Sequence, residues 1–206
     1  MVFDFKEIIM FKNYHERNRL VYLESLRVYR EGHRAVNWGS ETSQQKRFDV
    51  LTQIANDVFE SSILDVGCGI GHLVDFILAR GFSGTYLGID LLEEMIAKAK
   101  SRHPKMSFGN NSIQDYKEKS FDYVFMSGIF TVANEEALKF LIMEAFRIGK
   151  KGVAFNTLSA WANEKDPDEY YAEPGKILEF CSTLTSKIVL RHDYLPHDFT
   201  VYLYNS

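Results

Sequence analysis

The chain has 206 residues, which is enough for one domain with a full hydrophobic core. Hydrophobic residues make up 46% of the chain and aromatic residues 14%, and this composition excludes an intrinsically disordered protein. The formal net charge of -4 favours neither a nucleic-acid backbone nor an anionic membrane surface as a partner.

The cysteines and the N-terminal segment indicate the compartment. Cys68 and Cys181 are too few for a disulfide framework and lack the paired spacing of a zinc site. Asp4, Lys6 and Glu7 stand where a signal peptide would have an uninterrupted apolar run. No stretch approaches the roughly 20 apolar residues of a membrane span. We therefore expect a cytoplasmic protein with no metal site and no membrane contact.

The first sixty residues predict two or more helices. Thr42 and Gln45 have the spacing of a capping box at the start of one of them. An apolar stripe follows it, consisting of Phe48, Leu51, Ala55 and Val58. This stripe predicts a helix face that is buried against the rest of the protein.

From residue 62 onward, short apolar runs alternate with helical patterns. Five strands are predicted, at Ser62–Val66, Thr85–Asp90, Lys105–Phe108, Phe121–Met126 and Gly152–Thr157. Of the helices between them, one ends at Gly81, one stops near Pro104 and one is capped by Asn134. Strands that alternate with helices through short connections predict a parallel sheet covered on both faces.

In the last fifty residues the alternation of strands and helices ends. The polar segment 158–175 carries Trp161, Tyr170 and Tyr171, and it predicts either one wall of a substrate pocket or a solvated loop. A helix then presents one apolar face, formed by Ile177, Leu178, Cys181 and Leu184. The segments 187–194 and 198–204 predict an antiparallel hairpin. His192 and His197 bracket its turn, and we expect them at the hairpin surface because no third metal ligand has a useful spacing.

The glycine-rich turn after the first strand is the most informative local feature. Asp65 ends the strand, and Gly67, Gly69 and Gly71 follow it at alternate positions. Ligands of open α/β sheets bind at this end of the strands. A carboxylate two residues ahead of the turn disfavours a pyrophosphate and favours a ligand that carries an ammonium group. The spacing G-x-G-x-G also departs from the G-x-G-x-x-G pattern of dinucleotide sites, so a nicotinamide dehydrogenase is disfavoured.

Three segments together resemble the class I S-adenosylmethionine-dependent methyltransferases. LDVGCGIG at 64–71 is similar to the first motif of this family, LGIDLLEEMIAKAK at 87–100 to the second, and FDYVFMSGIF at 121–130 to the segment of the fourth strand. The resemblance implies a three-layer, Rossmann-like α/β sandwich with a seven-stranded, mostly parallel sheet, an antiparallel C-terminal strand and an N-terminal helical extension. It implies a single methyltransferase domain over 1–206, with N-terminal helices or a lid at 1–60, a cofactor-binding core at 61–158, and a substrate-side loop, helix and hairpin at 159–206.

The resemblance also implies cofactor-binding roles for the residues of the first two motifs. Gly67, Cys68 and Gly69 would lie along the methionine part of S-adenosylmethionine. Asp65 would lie near its amino group, and Asp90 would accept hydrogen bonds from both ribose hydroxyls. Asp90 has a plainer interpretation as the cap of the following helix, and the two roles are compatible. Cys68 is better interpreted as a small residue in a tight turn than as a nucleophile.

Further positions follow from the same resemblance. Leu91 would cover one face of the adenine. The adenine edge would be addressed through Asn111, Ser112 and Ile113, where an amide oxygen can accept from the exocyclic amine. Ser127 would lie close to the methyl-bearing end of the cofactor.

The segment 37–48 allows two interpretations. It is either a loop that packs Trp38 on the core or a lid over the cofactor, with Arg47 helping to hold the cofactor carboxylate. His72, at the start of the helix after the glycine turn, is expected to be solvated or locally bonded, with the pocket as the alternative.

The implied activity is transfer of a methyl group from S-adenosylmethionine to a small-molecule acceptor by in-line displacement, with S-adenosylhomocysteine as the product. Methylation of a macromolecule is an alternative, but the acidic balance disfavours nucleic acid, and the chain reads MSGIF where amino- or RNA-directed families have N/D-P-P-Y. A non-catalytic protein that binds the cofactor is a second alternative. No motif identifies a catalytic residue, the acceptor atom or the oligomeric state.

Overall fold

The computed structural model describes residues 5–36 and 39–205, and for 5–13 and 15 it describes the backbone alone. Seven strands form one sheet: β1 (Ser62–Val66), β2 (Thr85–Ile89), β3 (Ser107–Gly109), β4 (Phe121–Ser127), β5 (Gly149–Leu158), β6 (Ile188–Leu195) and β7 (Asp198–Tyr204). The α-helices of the described residues are α1 (Phe5–Tyr29), α2 (Glu41–Thr52), α3 (His72–Leu78), α4 (Glu93–Arg102), α5 (Glu135–Ile148) and α6 (Pro174–Ser182).

The strands lie in the order β3-β2-β1-β4-β5-β7-β6. Strands β1 to β5 pair in parallel, β7 pairs antiparallel with β5, and β6 pairs antiparallel with β7. This topology confirms the predicted seven-stranded, mostly parallel sheet and the predicted hairpin at the end of the chain. It also brings the carboxyl ends of β1, β2 and β4 to neighbouring positions at one edge of the sheet.

Helices cover both faces of the sheet because successive strand residues point to opposite sides. Leu64 and Val66 of β1 belong to the hydrophobic cluster that includes residues of α1, α5 and α6. Ile63 of the same strand belongs to a second cluster, which includes residues of α2, α3 and α4. The sequence pattern therefore predicted the layers correctly, and the predicted strand bounds differ from the observed ones mainly by lengthening of β5 at both ends.

The predicted capping box at the start of α2 is wrong. Helix α2 begins at Glu41, and the hydroxyl of Ser40 accepts a hydrogen bond from the backbone N–H of Ser43 at 3.1 Å. Thr42 therefore lies inside the first turn rather than at the cap. The helix also ends at Thr52, so the predicted apolar stripe continues beyond it, and buried Val58 lies in a separate 3-10 turn.

Among the helices of the described residues, none has both the length and the apolar character that crossing a membrane requires.

Candidate active site

A cavity opens at the carboxyl ends of β1, β2 and β4. Its walls come from the glycine turn between β1 and α3, from the segments after β2, β3 and β4, and from α1 and α2. Among the described residues for which a cofactor role was predicted, all but Arg47 line this cavity.

The glycine turn forms the floor of the cavity, and its backbone requires glycine. The φ angles of Gly67, Gly69 and Gly71 are +73°, +53° and +84°, in the left-handed region that other residues rarely adopt. A Cβ atom on Gly67 would lie 2.2 Å from Cγ2 of Ile129, and one on Gly69 would lie 2.9 Å from Cγ1 of Val36. Neighbouring segments therefore pack so closely on the turn that a larger residue does not fit at these two positions.

Asp65 is the penultimate residue of β1, just ahead of this turn, and it is only 3% exposed. The hydroxyl of Tyr86 donates a hydrogen bond to its Oδ2 at 2.7 Å. Burial raises the pKa of Asp65 to about 7, against the lowering effect of the Tyr86 hydrogen bond, and nearby Asp90 raises it further. A buried carboxylate with a neutral partner is stabilised by a cationic ligand and repels an anionic one. The buried carboxyl group at this end of the cavity therefore suits a ligand with an ammonium group and disfavours a ligand with a phosphate.

Asp90 follows β2 and faces the same cavity. Its Oδ2 accepts from the backbone N–H of Gly69 at 3.0 Å, and its Oδ1 accepts from the N–H of Leu92 at 2.9 Å. Burial raises the pKa of Asp90 to about 6, and these N–H donors oppose the shift. The carboxylate thus supports the local turn and the glycine loop while it lines the cavity, so the two interpretations of Asp90 are compatible. Sequence reasoning missed Asn110, whose Nδ2 donates to the carbonyl of Asp90 at 2.9 Å.

The segments after β2 and β3 form the next part of the wall. Leu91 is 37% exposed, and Asn111 is exposed at the rim. Ser112 caps a 3-10 turn that starts at Ile113, where its hydroxyl and the Asp115 carboxylate form a capping box. Ile113 is buried, so its side chain offers an apolar surface to the cavity.

The wall after β4 is closed by α1. The Tyr14 hydroxyl donates to the carbonyl of Ile129 at 2.7 Å, and the Tyr22 hydroxyl donates to the carbonyl of Gly128 at 2.9 Å. Burial raises the pKa of Tyr14, and it raises that of Tyr22 to about 12, so both are neutral hydroxyls near pH 7. No sequence pattern pointed to these tyrosines, because their partners lie more than a hundred residues further along the chain. Ser127 also lines this wall.

Arg47 lies outside the wall of the cavity. It is buried on α2, and its Nε is 2.8 Å from Oδ2 of Asp198, which is itself 1% exposed. The Tyr194 hydroxyl donates to the same carboxylate. This ion pair joins α2 to the hairpin, and the contact of Arg47 with the cofactor carboxylate stays a prediction. Trp38 lies outside the described residues.

Another side chain of α2 lines the cavity instead. Gln44 is 2% exposed, and its Nε2 is 3.3 Å from Nδ1 of His72, the first residue of α3. His72 was expected to be solvated or locally bonded, with the pocket as the alternative, and it is half-buried in the wall of the cavity. Burial raises the pKa of the Cys68 thiol well above its usual range, as expected for a small residue of the turn rather than a nucleophile.

The C-terminal predictions are corrected in part. Trp161, Tyr170 and Tyr171 are not in the wall of the main cavity, although other residues of segment 158–175 line a shallow second pocket beside α1. His192 is packed rather than solvated. Its ring stacks with Phe199, and its Nε2 is 2.8 Å from the buried hydroxyl of Ser159.

Comparisons with known proteins agree with this geometry. Residues 63–152 match a family model described as a methyltransferase domain. A Mycobacterium tuberculosis protein whose name describes it as a methyltransferase is 33% identical over an alignment of 162 positions, and the alignment covers 72% of this chain and 96% of that protein.

Solved structures share the fold. Magnesium protoporphyrin IX methyltransferase from Synechocystis, with bound S-adenosylmethionine, superposes with a TM-score of 0.66 and 16% identity, over 100% of this chain and 99% of that chain. An S-adenosylmethionine-dependent methyltransferase from Archaeoglobus fulgidus gives a TM-score of 0.65 and 14% identity, over 81% of this chain and 95% of that chain. The fold and the cavity thus define a Rossmann-like methyltransferase. The chain belongs to the class I S-adenosylmethionine-dependent methyltransferases.

Proposed function

We propose that this protein methylates a small-molecule acceptor inside the cavity at the carboxyl ends of β1, β2 and β4, and that it releases S-adenosylhomocysteine. The observation that carries the proposal is the closure of this cavity by α1. Because the hydroxyls of Tyr14 and Tyr22 hold α1 against the segment after β4, this helix limits the space that an acceptor can occupy in the cavity. A small acceptor is also consistent with the Synechocystis neighbour, which is named for a porphyrin substrate.

Different residues of the cavity wall would bind different parts of the cofactor. Asp65 would pair with the ammonium group of its amino-acid part, because this carboxylate is buried and has only a neutral partner. Asp90 would accept hydrogen bonds from the ribose hydroxyls. The backbone of Gly67 and Gly69 would approach the chain between them, and Leu91 would cover the adenine.

The cofactor supplies an activated methyl group on a positively charged sulfur. The task left to the protein is to hold the acceptor in line with that group and to keep water away, and positioning of this kind can lower a barrier by about 7–11 kcal/mol. Tyr14 and Tyr22 remain protonated near pH 7, so they orient groups rather than remove protons. Ser127 contributes a further hydroxyl to this wall, with its Oγ donating to Oδ1 of Asn156 at 3.1 Å.

Two measurements test the proposal. Titration calorimetry with S-adenosylmethionine, S-adenosylhomocysteine, NAD and ATP should show binding of the first two ligands only. Labelled S-adenosylmethionine should then transfer its methyl group to a fraction of small metabolites rather than to RNA or protein from the same extract. Label in the macromolecular fractions alone would overturn the small-molecule acceptor, and binding without transfer to any fraction would indicate a non-catalytic protein.

A further inference from the structure

Gln44 and His72 form a polar pair that the predicted site did not contain. Gln44 lies on α2, and His72 follows directly after the glycine turn, so the pair bridges α2 and the start of α3. Both side chains line the main cavity, and Gln44 is almost completely buried there. A buried amide normally has its hydrogen-bonding groups satisfied, which makes an amide in a cavity wall a candidate for contact with a ligand.

The pair has hydrogen-bond donors left for a ligand. A neutral imidazole carries one N–H and a primary amide carries two. Burial lowers the pKa of His72 to about 4, and nearby Arg102 lowers it further, so the ring is neutral near pH 7. The contact between Gln44 and His72 uses one of the three N–H groups. Two remain whichever nitrogen carries the ring proton and whichever way the amide is turned.

The rest of the wall has no stronger partner for an anion. Among the described side chains that line the cavity there is no lysine and no arginine, whereas Asp65 and Asp90 both line it. Arg47, the predicted partner of a carboxylate, pairs with Asp198 outside the wall. A carboxylate held in this cavity therefore depends on N–H donors of neutral groups, and hydrogen bonds from such donors to an ionised acceptor are stronger than neutral ones.

We propose that the Gln44–His72 pair recognises the α-carboxylate of the cofactor, while Asp65 takes its ammonium group. This inference rests on the proposed function and deepens it. The carboxylate of the amino-acid part then accepts hydrogen bonds from the pair, and the ammonium group donates hydrogen bonds to Asp65. His72 and Asp65 lie on either side of the glycine turn in the sequence. Recognition of the amino-acid part is thereby separate from recognition of the ribose by Asp90.

The test compares two ligands in titration calorimetry. S-adenosylhomocysteine carries the amino-acid part, and methylthioadenosine has the same adenosine thioether without it. In the Gln44→Met and His72→Ala variants, affinity for S-adenosylhomocysteine should fall roughly ten- to a hundredfold, the loss expected for hydrogen bonds to a charged group. Affinity for methylthioadenosine should stay within about twofold. Gln45→Ala, one position further along α2 and outside the cavity wall, is the matched control and should change neither affinity.

The outcomes separate this inference from the proposed function. Unchanged S-adenosylhomocysteine affinity in both variants would overturn the carboxylate role while leaving the cofactor assignment in place. Equal weakening of both ligands would also overturn it, because the pair would then shape the adenosine site or the fold. Failure of the wild-type protein to bind either ligand would instead overturn the proposed function. His72→Asn keeps an N–H in place of the ring, and partial recovery relative to His72→Ala would support direct donation.

Discussion

Replacement of Asp65 by asparagine tests the electrostatic basis of the site. The substitution keeps an oxygen that can accept from the Tyr86 hydroxyl, but it removes the negative charge. We expect the Asp65→Asn variant to bind S-adenosylhomocysteine more weakly than the wild type at pH 8 and to be more stable without ligand. Function and stability should therefore change in opposite directions at this position.

The expected gain in the free energy of unfolding follows from the raised pKa of Asp65. Asp65 titrates at about 7 in the folded protein and at roughly 3.9 in an unfolded chain, and each pKa unit corresponds to about 1.36 kcal/mol. Because the folded-state pKa is the higher one, the stability that this group contributes is fully present below about pH 4 and is lost as the pH rises through 7. At pH 8 the loss amounts to about 4 kcal/mol, and the asparagine variant should recover up to that amount.

The pH dependence of binding gives the second readout. A protonated Asp65 cannot pair with an ammonium group, so wild-type affinity should fall about tenfold between pH 8 and pH 6. Below about pH 6, protonation of Asp90, whose pKa is about 6, adds its own effect to the pH dependence of binding. Asp65→Asn should flatten the profile over the same interval. Tyr86→Phe should move the midpoint to higher pH, because it removes the hydrogen bond that lowers the pKa of Asp65.

Calorimetric titrations at several pH values and thermal unfolding of the ligand-free proteins provide both measurements. A wild-type affinity that is constant from pH 6 to pH 8 would refute the raised pKa of Asp65 on which the pH profile rests. Affinity of the Asp65→Asn variant equal to that of the wild type at pH 8 would refute the pairing of Asp65 with a cation.

Three further substitutions test separate parts of the cavity. Asp90→Ala should weaken S-adenosylhomocysteine and methylthioadenosine alike, by roughly ten- to a hundredfold in calorimetry, since both ligands contain the ribose; a loss confined to one ligand would contradict the ribose role. Gly67→Ala should lower the thermal midpoint, because a left-handed non-glycine residue costs roughly 1–2 kcal/mol and the new Cβ would meet Ile129 at 2.2 Å; an unchanged midpoint would contradict the left-handed conformation of this turn. Tyr22→Phe removes the bond to the carbonyl of Gly128, worth about 0.5–1.5 kcal/mol, and should speed amide hydrogen exchange in α1; unchanged exchange would show that the helix is held by other contacts.

The local sequence was sufficient for the core of the site. The strand that ends at Asp65 and the glycine turn after it lie within ten consecutive residues, so their geometry depends on alternation and on backbone conformations that glycine allows. Asp90 was predictable for the same reason, because a parallel neighbour of the first strand must end at the same edge of the sheet. These positions line the cavity as expected.

The capping of α2 shows where local patterns become ambiguous. Ser40, Thr42 and Ser43 are all residues that favour helix N-termini, and the sequence offers no reason to choose among them. The choice of Ser40 depends on where the preceding chain enters the fold.

Sequence alone thus determined the succession of strands and helices along the chain, the glycine turn and the two carboxylates beside it. Each of these features is encoded by residues that are close together in the chain. Only the tertiary structure decided that α1 closes the cavity through Tyr14, that Arg47 pairs with Asp198, and that Gln44 meets His72. Each of these contacts joins side chains from distant segments, and their partners are selected by the packing of whole helices against the sheet rather than by any local pattern.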